Sequence, residues 1–345
     1  MKKNGKLELI RFLAAVGIVV VHCPAKPIGQ FFGLGTLVVV FFVLSGIFMA
    51  AHAKRPALDA EGNELSPGRA SFRYVGSRFC RLAPEYYVAL VLGVVSWLIA
   101  TGGVPVKDFF KYCVDNVLGE ALFLDGFGVW FNKVNAHTWY ISAMLAGMLL
   151  FYPILYKKRD FYLRFFCPAV FIGLSYWCFL KFEDISFMYP ILRAFQGLAL
   201  GGFCYAVAEE VRKVQIGKAG KVVVTIVTAA MYVLAFALAG ATRPKSSLLV
   251  AFLFAICITV TYADLGIRTR LFDNKLVYWL GKFSYPLYLG HVLGIAPLRI
   301  VAEKTSLQGE TYWLVYVAMS LVLGFVVMGL GALVRKIFTS KKKKV

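Results

Sequence analysis

The chain has 345 residues, 60% of them hydrophobic and 16% charged, with a formal net charge of +20 and a mean hydropathy of +0.72. That hydropathy excludes an ordinary soluble domain and points to an integral membrane protein. The positive charge does not read as nucleic-acid binding: the basic residues punctuate apolar blocks, and neither a zinc spacing nor an aromatic-plus-basic strand pattern accompanies them.

Ten apolar segments approach the ~20 residues needed to cross about 30 Å of hydrocarbon. They are 7–24, 34–53, 82–101, 138–156, 161–180, 187–208, 222–240, 246–265, 276–299 and 312–337. They predict an all-α polytopic bundle of about ten transmembrane helices in the cell (plasma or inner) membrane. The first segment reads as an uncleaved anchor, because further spans follow at once. With the N-terminus inside, most of the 38 Lys and Arg residues fall in cytoplasmic segments, including 54–81 and the tail Lys341 to Lys344. Both termini are therefore predicted to be cytoplasmic. Residues 1–345 read as a single transmembrane domain, without an internal repeat or an appended soluble domain. The seven cysteines are scattered and read as small apolar packing residues, not as a disulfide framework.

In chain order, the first polar group is the most unusual. Glu8 and Arg11 are three apart in an apolar helix, so they share a face and can neutralise each other. Arg11 and His22 are eleven residues apart, which at 100° per residue is about 20° from whole turns. One polar stripe then runs roughly 16 Å along the axis. Ionisable groups in a span are costly and usually functional or paired, although Glu8 and Arg11 also read as interfacial side chains that snorkel. His22 also reads as the end of the helix before Pro24.

Further along, Ser45-Gly46 suits close helix packing, and His52 reads as a helix-end residue. Arg78 and Arg81 share a face at the start of the third segment, as a phosphate grip or as positive-inside anchors. His137 and Trp139 fall at the predicted outer edge, where Trp139 reads either as interfacial belt or as a stacking surface for a sugar. Arg193 lies within the sixth segment and requires a partner. Tyr285, Tyr288 and His291 are spaced by three and form roughly one stripe. No group of ligands has a usable metal spacing, so no metal is expected.

Several of these stretches together resemble the membrane-bound acyltransferase 3 family. "LELIRFLAAVGIVVVHC" resembles its opening helix, with an acidic residue, an arginine and a histidine at this spacing. "GLGTLVVVFFVLSGIFMA" resembles its second helix, and "SRFCRLAPEYYVALVLG" its basic stretch with Arg78, Arg81, Pro84 and Tyr87. "MYPILRAFQGLALGG" places Arg193 before a glycine-rich helix, and "LGKFSYPLYLGHVLGIAPL" resembles the ninth helix with Ser284, Tyr285, Tyr288 and His291. One departure stands out. Many members carry a glutamate five residues after the tryptophan, where this chain has Met144 in "HTWYISAMLAGMLLFYPIL".

The resemblance implies transfer of an acyl group, usually acetyl, from cytosolic acetyl-CoA to a hydroxyl on a cell-surface or lipid-linked glycan. The expected partners are thus acyl-CoA, the glycan acceptor and membrane lipids, with no permanently bound cofactor. A sugar hydroxyl needs a base within reach of its proton, and a buried neutral imidazole suits that task. His22 is expected to be that base, or a transient acyl carrier. Arg11 is expected to hold the donor or to keep Glu8 in place. Arg78 and Arg81 would grip the donor, and Glu8, Arg193, Tyr285, Tyr288, His291 and Trp139 would support the site. The runner-up is a transporter or flippase of a lipid-linked sugar, although the sequence lacks the repeat symmetry many transporters show. A membrane scaffold would leave Arg11, His22, Arg193 and His291 unexplained.

Overall fold

The structure, a computed structural model, describes residues 4–24, 32–103, 105–127, 134–135, 137–180, 189–241 and 247–342. Among these the regular secondary structure is helical, apart from an isolated bridge between Leu58 and Glu64. The helices are α1 (Gly5–Val21), α2 (Val38–His52), α3 (Pro67–Thr101), α4 (Val106–Asn116), α5 (Leu118–Ala121), α6 (Trp139–Lys157) and α7 (Arg159–Phe161). They continue with α8 (Cys167–Ser175), α9 (Tyr189–Val211), α10 (Lys218–Ala241), α11 (Ser247–Ala263), α12 (Lys275–Gly290), α13 (Ile295–Thr305) and α14 (Gly309–Lys342).

Local chemistry sets the ends of the elements that matter for the site. Asn4 caps α1 by accepting from the Lys6 amide at 3.1 Å. The helix stops at Val21, three residues before Pro24, and leaves His22 as its C-cap. α3 starts at Pro67, ends at Gly102 in a left-handed conformation (φ 72) and runs for 35 residues. At 1.5 Å per residue that is about 52 Å, well beyond a bilayer core. The basic stretch with Arg78 and Arg81 is therefore the first half of the same helix, not a separate loop.

Among the described residues, seven helical stretches are long and apolar enough to cross a membrane, and α12 with α13 would make an eighth if that bent pair is one span. Three of the ten predicted segments fall short of that measure. α1 and α11 have only 17 residues each. The segment expected at 276–299 breaks, with α12 and α13 meeting at 64°. The break lies where His291 turns inward and its Nδ1 approaches the Tyr288 carbonyl at 2.5 Å.

Burial separates centre from rim. The apolar stretches of α2 and α9 are each 72% buried, against 17% for α10 and 22% for α14. The rim helices show apolar side chains such as Ile226, Val233 and Val322 to the outside, as a lipid-facing surface does. At the centre α2 and α9 approach backbone to backbone. A Cβ on Gly46 would collide with the Leu198 carbonyl oxygen, and one on Gly201 with that of Val43. Small residues at such crossings let two membrane helices pack by dispersion alone. α1 lies along α12 in the same direction, with Glu8 against Gly281 at one end and His22 beside His291 at the other.

Candidate active site

α1, α2, α3, α6, α12 and α14 enclose a cavity of about 1400 Å³. Its lining carries seven cationic side chains (Arg11, Arg55, Arg73, Arg78, Arg81, Lys282 and Arg335) against two carboxylates, Glu8 and Glu85. Arg11 donates to Glu8 at 2.9 Å. Arg335 of α14 pairs with Glu85 of α3. Glu85 is buried, so its partner offsets a charge that the interior would otherwise disfavour. Arg78 lies over the Tyr74 ring at 5.2 Å. The remaining cations give the cavity a positive field suited to a multiply charged anion.

One part of the cavity wall is aromatic. Phe41, Tyr140 and Tyr288 meet there, with ring centroids 5.8 to 6.4 Å apart. Met144 also lines the cavity. Its sulfur accepts from Ser45 at 3.2 Å and from the Tyr140 hydroxyl at 3.3 Å. The thioether thus serves as a neutral acceptor where the sequence departs from a carboxylate. Tyr285 lines the same wall and donates to the Leu82 carbonyl at 3.1 Å.

Behind this aromatic layer lie three of the chain's four histidines. His22 ends α1, His291 ends α12, and His137 sits in the turn before α6. Ring centroids are 3.8 Å apart for His22 and His137, 5.2 Å for His22 and His291, and 5.3 Å for His137 and His291. His22 Nδ1 is 2.8 Å from the Ile18 carbonyl and 3.3 Å from His291 Nε2. A carbonyl only accepts, so His22 presents Nδ1–H there and keeps its lone pair on Nε2. The Tyr288 carbonyl fixes His291 in the same tautomer. None of the three imidazoles lines the cavity. Tyr288 joins the two compartments: its ring lines the cavity, and its hydroxyl donates to the His137 carbonyl.

The turn carrying His137 is anchored by buried acids. The Asn135 amide donates to Glu120 Oε1 at 2.8 Å, and its side chain donates to the Leu289 carbonyl at 3.2 Å. Thr138 donates to Asp125 at 2.9 Å. Glu120 is fully buried in α5, outside the candidate spans. Burial pushes its carboxyl up from 4.5 to about 8, against the opposing pull of the Asn135 N–H and with a smaller push from Asp125. Between those two values the folded chain holds a proton that the unfolded chain has released, so stability falls as pH rises through the window. The unfolding temperature of the detergent-solubilised protein should therefore fall from about pH 5 to about pH 8. Glu120→Gln should flatten that decline, and an unchanged slope in the variant would exclude Glu120 as its source.

The sequence-derived candidates thus divide between two places. Glu8, Arg11, Arg78, Arg81, Tyr285 and Tyr288 line the cavity, and His22 and His291 lie in the imidazole cluster. Trp139 and Arg193 line neither. Trp139 packs near Phe42 at 6.3 Å. Arg193 bonds the Tyr189 hydroxyl and approaches the Thr36 carbonyl at 3.5 Å, the partners that its place in a span requires. His137, Glu120 and the Glu85–Arg335 pair did not emerge from sequence reasoning as site residues. The histidine ahead of the tryptophan in His137-Thr138-Trp139 was the available signal for the first. The sequence offers no spaced ligand set, yet the fold brings one nitrogen of each imidazole within 4.8 Å of the others.

The family model for the acyltransferase domain matches residues 4–330, nearly the whole chain. No curated protein and no solved structure matches it.

Proposed function

The chain belongs to the acyltransferase 3 family, and from that premise we propose that it is a multi-pass O-acyltransferase of the cell membrane. It moves acetyl from cytosolic acetyl-CoA to a hydroxyl of a cell-surface or lipid-linked glycan. In this reading the chain crosses the bilayer ten times with both termini cytoplasmic, the 17-residue α1 and α11 completing the set.

The observation that carries the reading is a strongly cationic cavity lying one aromatic layer away from His22. Arg78 and Arg81 bind the donor's phosphates, and Arg11, held by Glu8, orients its inner part. The acceptor hydroxyl approaches His22 Nε2, which takes its proton as the oxygen attacks the thioester carbonyl. A C–O bond forms, the C–S bond breaks, and the proton on His22 passes to the departing thiolate. The alternative uses of His22, base or transient acyl carrier, differ in whether an acyl-imidazole forms. Phe41, Tyr140 and Tyr288 separate the reactants at rest, so donor and acceptor meet only when that layer opens. Closure of this kind also limits loss of the thioester to water.

The broken α12–α13 span favours the transport reading, since transporters place interrupted helices at their binding sites. Mass spectrometry of surface glycans, before and after mild base, separates the two. Deleting the gene should remove base-labile acetyl while leaving the glycan itself in place. Loss of the whole glycan with no change in acetyl per sugar would replace the transferase reading with the flippase.

A further inference from the structure

The geometry points to a binding site for one divalent transition-metal ion formed by His22, His137 and His291. This goes beyond the transfer reading, because it concerns what the imidazole cluster holds irrespective of the substrate. Three observations carry it.

First, each ring comes from a different segment: the end of α1, the turn before α6 and the end of α12. Even so, one nitrogen from each lies within 4.8 Å of the other two. A tetrahedral ion with metal–nitrogen bonds of about 2.0–2.1 Å sets ligand atoms about 3.3 Å apart, so the rings need close inward by no more than about 1.5 Å.

Second, the rings are held as metal-binding histidines are held. A ligating imidazole donates its other N–H to a carbonyl or carboxylate, which fixes its tautomer and orientation. His22 Nδ1 faces the Ile18 carbonyl at 2.8 Å, and His291 Nδ1 faces the Tyr288 carbonyl at 2.5 Å. Both rings keep Nε2 as the lone-pair atom; that of His291 now lies 3.3 Å from His22 Nδ1, so ligation of one ion by both requires the His22 ring to turn its Nε2 toward the shared centre.

Third, His137 Nδ1 is buried and has no hydrogen-bond partner among the described residues. Leaving a buried polar atom unsatisfied is costly, and an ion ligated by that nitrogen would satisfy it.

Imidazole donors suit zinc, copper, nickel and iron rather than magnesium or calcium. Three histidines with an open fourth position form the donor set of reactive zinc sites. An ion held by His22 Nε2 occupies the lone pair that the base would use. Metal occupancy and proton abstraction by His22 therefore exclude one another, and the ion acts as a brake on transfer.

The test is titration of the chelator-treated, detergent-solubilised full chain with Zn2+ by calorimetry, and with Co2+ by visible absorption. One equivalent of Zn2+ should bind, and Co2+ should give the intense bands of a four-coordinate site. His137→Asn and His291→Gln should each weaken binding by more than about 100-fold, the upper range for losing even a partner of a ligand. His52→Ala, which removes the histidine outside the cluster, should leave binding unchanged. Thermal unfolding of each variant in the absence of metal shows that the chain remains folded.

Binding that survives both cluster substitutions, or no binding near equimolar Zn2+, overturns the proposal and leaves the acyltransferase reading untouched. Transfer that falls on adding Zn2+ and recovers with chelator supports the brake. If transfer instead requires Zn2+, the site stands, the brake falls, and His22 is a ligand rather than the base.

Discussion

Replacing His22 with alanine should reduce acyl transfer by about 10²- to 10⁴-fold, the usual contribution of a positioned general base, without removing the protein from the membrane. The side chain ends α1 and is not deeply buried, so truncation opens little new cavity. It does remove the ring that joins the Ile18 carbonyl to His291. The measurement is transfer of labelled acetyl from acetyl-CoA by membranes carrying equal amounts of each protein. A variant with near-normal transfer would exclude both roles proposed for the imidazole. Omitting the acceptor separates those roles. A base leaves the protein unlabelled, whereas an acyl carrier accumulates a labelled, alkali-sensitive adduct on the wild type that His22→Ala lacks. His291→Gln should weaken transfer less, because it removes the neighbour of the reacting ring and not the ring itself.

What the sequence conveys about this site depends on whether a relation is local to one helix. The Glu8–Arg11 pair follows from a three-residue spacing and is present at 2.9 Å. The alignment of Arg11 with His22 is an expectation from helical pitch; Arg11 lies seven residues into α1 and lines the cavity, whereas His22 caps the helix outside it. All ten predicted segments fall on helices among the described residues. Relations between elements are different. Nothing in the turn before α6 shows that His137 will pack 3.8 Å from His22, since that contact depends on how α1, α6 and α12 meet. The Glu85–Arg335 pair joins α3 to α14 and is equally invisible to periodicity. The 64° break after Gly290 was missed for another reason. The segment 276–299 is mostly apolar in its second half despite His291 and Arg299, so hydropathy reads straight across a bend that lies where His291 contacts the Tyr288 carbonyl.

The donor side yields the second large effect. Arg78→Ala and Arg81→Ala should each raise KM for acetyl-CoA by about tenfold to hundredfold and leave kcat nearly unchanged. The magnitude follows from about 1.5–3 kcal/mol for a hydrogen bond to a charged group, at about 1.4 kcal/mol per tenfold. The effect should fall on KM because phosphates remote from the thioester are held equally in the ground and transition states. Both residues line the cavity on the long first half of α3, and Arg78 is further steadied over Tyr74. Lysine at either position should restore only part of the affinity, because it keeps the charge but not the planar fork that matches phosphate. The competing view, that these arginines only anchor α3 at the cytoplasmic surface, makes a different forecast. Under it, alanine would reduce the amount of correctly inserted protein while the KM of the inserted fraction stayed the same, and lysine would restore insertion fully. Measuring KM alongside the membrane-inserted amount for the four variants therefore decides between a phosphate grip and an anchor.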